Sequence, residues 1–368
     1  MKSALVLASF LGLLNSAQAL TLRYVGETSI KTGTKFDKTV IGGLSGMVWQ
    51  DKTLYALSDD KGKAGEPRFY SFDLKIDKSK VELTPKKVTF IRGLPKENGQ
   101  PAFIDPEGFA RLPDGDFLIS SEASTDKKPR TKPRVFRVSA EGVWKSDFVI
   151  PEKYIPEPLG KQTKGVQNSQ SFEGLTTLDN GKFVFTALES CLTQDIVEGA
   201  DSNGDLIRIL KFEDRGAQHG YYTPTAEYAY HVDALKSSDK GPELFRGVSE
   251  ILAISDSKMF VMERGVRANG KGWTNAVVIY LADLSKASNT LALDKISDAK
   301  INLAEKTKLV DFETDLVKER GNKVVDNFEA LSWGPTLPDG RRTLLVMVDN
   351  NFSKNETTEL VVFAVEGE

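Results

Sequence analysis

FEGLTTLDNGKFVFTALES, residues 172–190, is the stretch that decides the fold of this chain. It opens on an apolar residue followed by Glu173 and Gly174, continues as a short apolar run to the turn sequence Asp-Asn-Gly, and ends on a second apolar run closed by Glu189. Two such runs on either side of turn residues predict a β-hairpin. The hairpin would carry one carboxylate near its beginning and another at its end.

The same unit occurs four more times along the chain. The copies are LSGM at 44–47 with LSDD at 57–60, PEGF at 106–109 with SSE at 120–122, VSEI at 248–251 with VMER at 261–264, and FEAL at 328–331 with VMVDN at 346–350. The second residues of the five copies are Ser45, Glu107, Glu173, Ser249 and Glu329, separated by 62, 66, 76 and 80 residues. A period of this size indicates repeated supersecondary units.

Each copy is followed by further strand-like runs, which makes four strands per unit the natural count. The fifth unit shows only three, and TLRYVGETSI at 21–30 is the candidate for its missing outer strand. We therefore predict an all-β chain, a β-propeller of five blades whose ring is closed by the N-terminal strand pairing with TELVVFAV at 358–365. Six blades stay open as an alternative, because residues 264–327 could contain further weak strands.

The first 19 residues, MKSALVLASFLGLLNSAQA, have the charged start, apolar run and Ala-x-Ala ending of a secretory signal peptide. Cleavage after Ala19 would leave residues 20–368 as one propeller domain in the periplasm or outside the cell. The chain has a single cysteine, Cys191, so it cannot form an internal disulfide. Cys191 itself is expected to be a packed small residue.

The formal net charge is −3, spread over segments of mixed sign. Without a basic surface, neither nucleic acid nor an anionic membrane is an expected partner. We expect a monomer that takes a small anionic substrate.

In a propeller the first strand of each blade lines the central channel, so the repeated second residues would converge on the axis. A second set of acids would surround them: Asp59, Glu122, Glu189, Glu263 and Asp349. Like charges this close raise each other's pKa unless a cation is present. An oxygen-only ligand set suits Ca²⁺, which predicts a calcium site built from Asp59, Glu107, Glu122, Glu173, Glu189, Glu263, Glu329 and Asp349. The alternative is that these acids form salt bridges between blades.

Built-in cations are also available near the same edge. Arg68, Arg134 and Arg208 lie at the start of third strands, and Arg264 follows Glu263. The predicted catalytic residues are Glu107, Glu173 and Glu329 as ligands, with Arg68 and Arg264 contacting the substrate.

Two other motifs are weaker. DSNGD at 201–205 resembles half of a Ca²⁺ loop but lacks its distal Glu, which favours a polar turn. A serine esterase is disfavoured, since GGLSG at 42–46 has the wrong glycine spacing and a triad would need His219 or His231.

The ordered motifs GGLSGM, LSDD, DPEGFA, NSQSFEGL, FRGVSEI, VMERG, NFEALSWGP and VDNNF, from 42 to 352, resemble the exported bacterial phytase-like family described by its esterase-like activity. The resemblance implies a β-propeller related to calcium-dependent propeller phytases, whose acidic mouth binds Ca²⁺ and phosphate groups. True propeller phytases carry D-D-P-A-[ILV]-W and N-N-[FVI]-D-[ILV]-R, of which DPEGF and VDNNFSKN keep only fragments, so the resemblance does not extend to phytate as substrate.

Two functions follow from the sequence. The first is a Ca²⁺-dependent hydrolase of phosphate esters or related carboxylic esters at the acidic mouth. The second is a non-catalytic propeller that binds a ligand or partner, in which the acids form a structural metal site or a salt-bridge ring.

Overall fold

The computed structural model describes residues 19–62, 64–97, 99–197, 204–216, 221–238, 241–268, 273–321 and 323–367. The expected signal peptide, most of DSNGD at 201–205 and His219 lie outside these residues. The strands are short and rich in β-branched and aromatic residues, as the sequence predicts.

The strands, in chain order, form four-stranded groups joined by turns. The chain begins with β1 (Thr21–Ile30), β2 (Lys35–Phe36) and β3 (Thr39–Val40), and the first group is β4 (Leu44–Gln50), β5 (Thr53–Ser58), β6 (Arg68–Asp77) and β7 (Lys80–Phe90). After β8 (Lys96–Glu97) and β9 (Gln100–Pro101), the second group is β10 (Pro106–Arg111), β11 (Phe117–Ser121), β12 (Arg134–Val138) and β13 (Trp144–Asp147). The third group is β14 (Phe172–Leu178), β15 (Phe183–Leu188), β16 (Leu206–Asp214) and β17 (Tyr222–His231). After β18 (Ser237–Ser238), the fourth is β19 (Gly241–Ala253), β20 (Lys258–Ala268), β21 (Trp273–Asp283) and β22 (Glu305–Asp311). The last strands are β23 (Phe328–Trp333), β24 (Thr343–Val348) and β25 (Thr358–Glu366).

Helical structure in the described residues is confined to three short segments. Two are 3-10 turns, Glu152–Tyr154 and Thr193–Asp195, and the third is a π-helical turn, Phe312–Leu316. None of the described helical segments is long and apolar enough to cross a membrane.

The four strands of each group pair antiparallel in sequence order, so each group is a meander. The fifth meander is completed by β1, which pairs antiparallel with β25 from Thr21 opposite Glu366 to Ile30 opposite Thr358. The predicted closure by the N-terminal strand is therefore confirmed. In the described part of the chain the five meanders follow one another in the order of the five sequence repeats, which gives the predicted all-β propeller.

The first strands of the meanders lie against one another around the axis. A Cβ on Gly46 would lie 2.3 Å from the carbonyl oxygen of Glu107, and a Cβ on Gly108 would lie 2.4 Å from that of Glu173. The glycine at the third position of these two repeats is thus explained by a close approach of neighbouring backbones. Hydroxyl groups add links between these strands, for example from Ser249 Oγ to the Phe328 carbonyl at 3.4 Å.

The hydrophobic core lies between the faces of adjacent meanders. One cluster joins the first and second meanders through Phe69, Phe109 and Phe117, and others join the fourth to the fifth and the fifth to the first. Strands such as β11 and β24 are buried along their whole length, because both faces of their sheet are covered. Residues 284–304, all of them described, contain no strand.

Candidate functional site

The second residue of every repeat lies at a β-bulge. The register between the first and second strands shifts between Leu44 and Gly46, Pro106 and Phe109, Phe172 and Leu175, Val248 and Glu250, and Phe328 and Ala330. A bulge takes a residue out of the ladder and re-aims its side chain. It thereby turns Glu107, Glu173 and Glu329 out of their sheets and into one shared acidic cluster, which we call the mouth.

A second set of side chains reaches the mouth from the ends of the second strands. Their backbone N–H groups donate to the carbonyl just before the first strand: Asp59 to Gly43 at 2.7 Å, Glu122 to Asp105 at 2.9 Å, Glu189 to Ser171 at 2.8 Å, and Asp349 to Asn327 at 2.9 Å. In the fourth meander the residue opposite the equivalent Gly247 is Arg264. Four of the five second-strand positions are therefore acids and the fifth is an arginine.

The prediction that Glu263 belongs to the mouth is wrong. Its fully buried carboxylate accepts a hydrogen bond from the Tyr230 hydroxyl at 2.8 Å and from Lys306 Nζ at 2.6 Å. Glu263 precedes Arg264 by one residue, and successive side chains of a strand point to opposite faces. Glu263 thus links Lys306 of its own meander to Tyr230 of the third meander.

Arg264 is the arginine that reaches the mouth acids. One terminal nitrogen, Nη2, lies 3.0 Å from Glu189 Oε1 and 3.1 Å from Glu329 Oε1. Arg68 does not join it, since its buried guanidinium donates to Asp60 at 2.8 Å, to the Tyr70 hydroxyl and to the Val40 carbonyl. The predicted substrate contact by Arg68 is therefore wrong.

Arg134 and Arg208 are also occupied elsewhere. Arg134 pairs with Asp147 and Glu97, and Arg208 pairs with Asp195 at 2.7 Å and Glu227 at 2.6 Å. These two arginines are thus buried and engaged in ion pairs away from the mouth.

Two mouth residues were missed by the sequence reasoning. Asp105, directly before β10, is buried, and its Oδ2 lies 2.6 Å from the Nζ of Lys61, whose side chain is 31 % exposed. Asp105 was visible as the first residue of DPEGFA, but the same position holds Gly43, Ser171 and Gly247 in other repeats. Lys61 was visible only as the residue after LSDD.

The mouth thus combines eight carboxylates with two cations, Lys61 and Arg264. Its acids are Asp59, Asp105, Glu107, Glu122, Glu173, Glu189, Glu329 and Asp349. Two groups of three carboxylates each offer oxygens that all lie within 4.8 Å of one another: Asp105 with Glu107 and Glu122, and Glu122 with Glu173 and Glu189. Glu122 belongs to both groups, so two neighbouring oxygen clusters share one side chain.

Burial and the neighbouring charges raise the pKa of six of these acids. Burial, followed by the charge of Glu329, raises the pKa of Asp59 to about 7. Burial likewise raises the pKa of Glu189 to about 7, although Arg264 opposes the change. The pKa values of Glu107, Glu122, Glu173 and Asp349 also lie well above their ordinary range, first because of burial and then because of neighbouring carboxylates. A site of this kind holds protons or takes up a cation.

Among the described residues, neither Ser45 nor Cys191 is placed as a nucleophile at the mouth. The Ser45 hydroxyl donates a hydrogen bond to the Glu107 carbonyl at 3.2 Å, and His231 is the last residue of the outer strand of the third meander. Cys191 is buried, and burial raises the pKa of its thiol to about 12, as expected for a packed residue.

The family model described as "Phytase-like: Esterase-like activity of phytase" matches residues 39–352 of this chain. An uncharacterized secreted protein of Arthroderma benhamiae is 25% identical over 230 residues, which are 55% of this chain and 42% of that protein. The chain thus matches less than half the length of this curated relative.

Two solved structures resemble the chain at low similarity. The catalytic domain of the Coprinopsis cinerea GH62 alpha-L-arabinofuranosidase is 8% identical with a TM-score of 0.40, covering 94% of this chain and 98% of that one. A glycosyl hydrolase from Bacteroides ovatus is also 8% identical with a TM-score of 0.40, covering 93% of each chain. The fold assignment rests on the strand pairing described above.

Proposed function

The chain belongs to the phytase-like family, and from this premise we propose that it is an exported, Ca²⁺-dependent hydrolase of phosphate esters or related esters that acts at the acidic mouth. The observation that carries the proposal is the concentration of eight carboxylates, six of them buried, around two cations of the described residues. Export is supported by the signal-like residues 1–19 and by the relative named as a secreted protein.

The donor set fits a hard cation. Ca²⁺ binds six to eight oxygens at roughly 2.3–2.6 Å, so two ligands on opposite sides of the ion are about 5 Å apart. The spacing within each carboxylate cluster, up to 4.8 Å, is compatible with that distance. Buried Asp59 Oδ1 and Asp105 Oδ1 also have no hydrogen-bond partner among the described residues, and such atoms are costly unless a ligand satisfies them.

Asp105, Glu107, Glu122, Glu173 and Glu189 would hold the metal. A bound divalent cation supplies charge neutralisation and Lewis-acid polarisation of a substrate oxygen. Glu329 is engaged by Arg264 and is proposed to orient that guanidinium rather than to bind metal directly.

Lys61 and Arg264 are the proposed contacts for the anionic part of the substrate. Both already face carboxylates of the mouth, at 2.6 Å for Lys61 and about 3 Å for Arg264. An arriving phosphate or carboxylate can exchange with these partners and accept charge-assisted hydrogen bonds. The two cations therefore favour an anionic substrate at a site that is otherwise strongly negative.

The test is hydrolysis of generic phosphate monoesters and of short acyl esters, with and without Ca²⁺. We expect Ca²⁺-dependent turnover of at least one class, lost in Glu173→Gln. Glu250→Gln is the matched control, because Glu250 is equally buried but serves the backbone N–H groups of Leu175 and Ile251. Turnover of neither class above the Glu173→Gln level would refute the hydrolase. Stabilisation by Ca²⁺ without turnover would favour a ligand-binding propeller instead.

A further inference from the structure

A pocket of about 470 Å³ lies between the first and second meanders. Most of its wall is apolar and comes from Ile91, Leu94, Ala102, Phe103 and Ile104. Its volume falls within the range of roughly 300–1,000 Å³ that is usual for small-molecule sites. An apolar concavity of this size gains free energy by enclosing an apolar group.

The pocket adjoins the mouth at two of its lining residues. Lys61 lines the pocket, and its Nζ lies 2.6 Å from Asp105 Oδ2. Ile104 also lines the pocket and directly precedes Asp105 in the chain. Asp105 in turn belongs to the carboxylate cluster with Glu107 and Glu122. One molecule could therefore place an anionic group beside Lys61 and an attached apolar group in the pocket.

We propose that this pocket binds the apolar part of the substrate. The inference rests on the proposed function and narrows it. The preferred substrates are phosphate or carboxylic esters that carry an alkyl chain or a ring next to the reacting group, rather than polyanions that are polar on every side. A polyanion would leave the apolar wall in contact with water and would gain nothing from it.

The test measures binding rather than turnover, so that it does not depend on catalysis. Methyl-, ethyl-, propyl- and butylphosphonate are titrated into the full mature chain with Ca²⁺ present, using calorimetry. Because burying one methylene favours binding by a factor of about four, we expect affinity to rise about threefold to fourfold at each step. Equal affinity along the series would overturn the proposal that the pocket binds the apolar group. Binding of methylphosphonate would in that case still support the mouth as the site of the anionic group. Failure of methylphosphonate itself to bind would overturn both proposals.

Variants of the wall locate the effect. Leu94 is half-buried, so Leu94→Glu should fold, keep the affinity for methylphosphonate and lose most of the gain from methyl to butyl. Ala102→Leu, which narrows the pocket without adding charge, should also reduce that gain. Leu159→Glu is the matched control, since Leu159 is 63% exposed and outside the pocket. An unchanged gain in both wall variants would overturn the inference.

Discussion

Replacing Arg264 with methionine should destabilise the protein in a way that depends on pH. The Arg264 side chain is mostly buried, with 13% of it exposed, and its guanidinium lies 3.0 Å from Glu189 and 3.1 Å from Glu329. Removing one partner of a buried ion pair costs about 3–5 kcal/mol, because the remaining charge is left without compensation. We expect Arg264→Met to lose free energy of unfolding in this range at pH 8 with chelator present.

At pH 5 the loss should be smaller. The pKa of Glu189 is about 7 even with Arg264 present, so at pH 5 this carboxyl group is largely neutral and needs no positive partner. The loss in free energy of unfolding at pH 5 should then approach that of removing hydrogen bonds to a buried neutral group, about 1–3 kcal/mol. The destabilisation by Arg264→Met should therefore increase by about 2 kcal/mol between pH 5 and pH 8.

The assay is urea denaturation of the wild type and the variant at both pH values. The matched control is Arg208→Met, which removes a fully buried arginine from two carboxylates, Asp195 and Glu227, that do not belong to the mouth. The control should lose similar stability at both pH values. If the cost of Arg264→Met were the same at pH 5 and pH 8, or larger at pH 5, the electrostatic description of the mouth would be refuted.

Three other predictions concern the ring, the protons and the outer network. Deleting residues 21–30 removes β1 and uncovers β25, so the truncated protein should aggregate or melt far below the mature protein. The loss should be several kcal/mol out of a typical free energy of unfolding of about 5–15 kcal/mol. A soluble truncation with an unchanged Tm would count against closure by β1. In chelator, wild-type stability should fall as pH rises from about 4 to beyond 7. The raised pKa values of Asp59 and Glu189 mean that the folded state binds more protons than the unfolded state in this pH range. The loss of stability is on the order of 3 kcal/mol per group, and denaturation curves in which stability rises with pH would contradict the prediction. Glu263→Gln should lower the Tm by weakening the contact with Lys306. Calorimetry should show unchanged Ca²⁺ affinity, because Glu263 lies outside the mouth. A loss of Ca²⁺ binding in this variant would show that Glu263 is a mouth residue after all.

The repeat was sufficient to predict the fold and most of the mouth. A strand that begins with the same phrase in every unit places its second residue at the same height on the axis, so Glu107, Glu173 and Glu329 could be grouped from sequence. The acid that closes the second strand identified Asp59, Glu122, Glu189 and Asp349 in the same way. The regular spacing of the repeats therefore predicts which side chains lie together at the axis, even though the sequence shows no contacts.

The errors have physical causes that local sequence does not reveal. In the fourth unit the second strand ends Glu-Arg, and which of the two side chains faces the axis depends on register: a shift of one residue moves a side chain to the opposite face. The pairing of the long strands β19 and β20 sets that register and places Arg264, not Glu263, at the mouth. Arg68 is withdrawn from the mouth by Asp60, a partner eight residues earlier, and Asp105 has no acidic counterpart at its position in the repeats described above.

The most direct test of the acidic mouth as a cation site is Ca²⁺ titration by calorimetry at pH 8. Glu122 is shared by both carboxylate clusters, so Glu122→Gln should weaken Ca²⁺ binding at least about tenfold, as expected when a carboxylate ligand is lost from a metal site. Glu250→Gln, which changes a buried carboxyl group outside the mouth, should bind Ca²⁺ like the wild type. Tight binding by the wild type that is reduced only in Glu122→Gln is the result we predict. No binding by the wild type, or equal binding by all three proteins, would contradict the assignment of the mouth as a cation site.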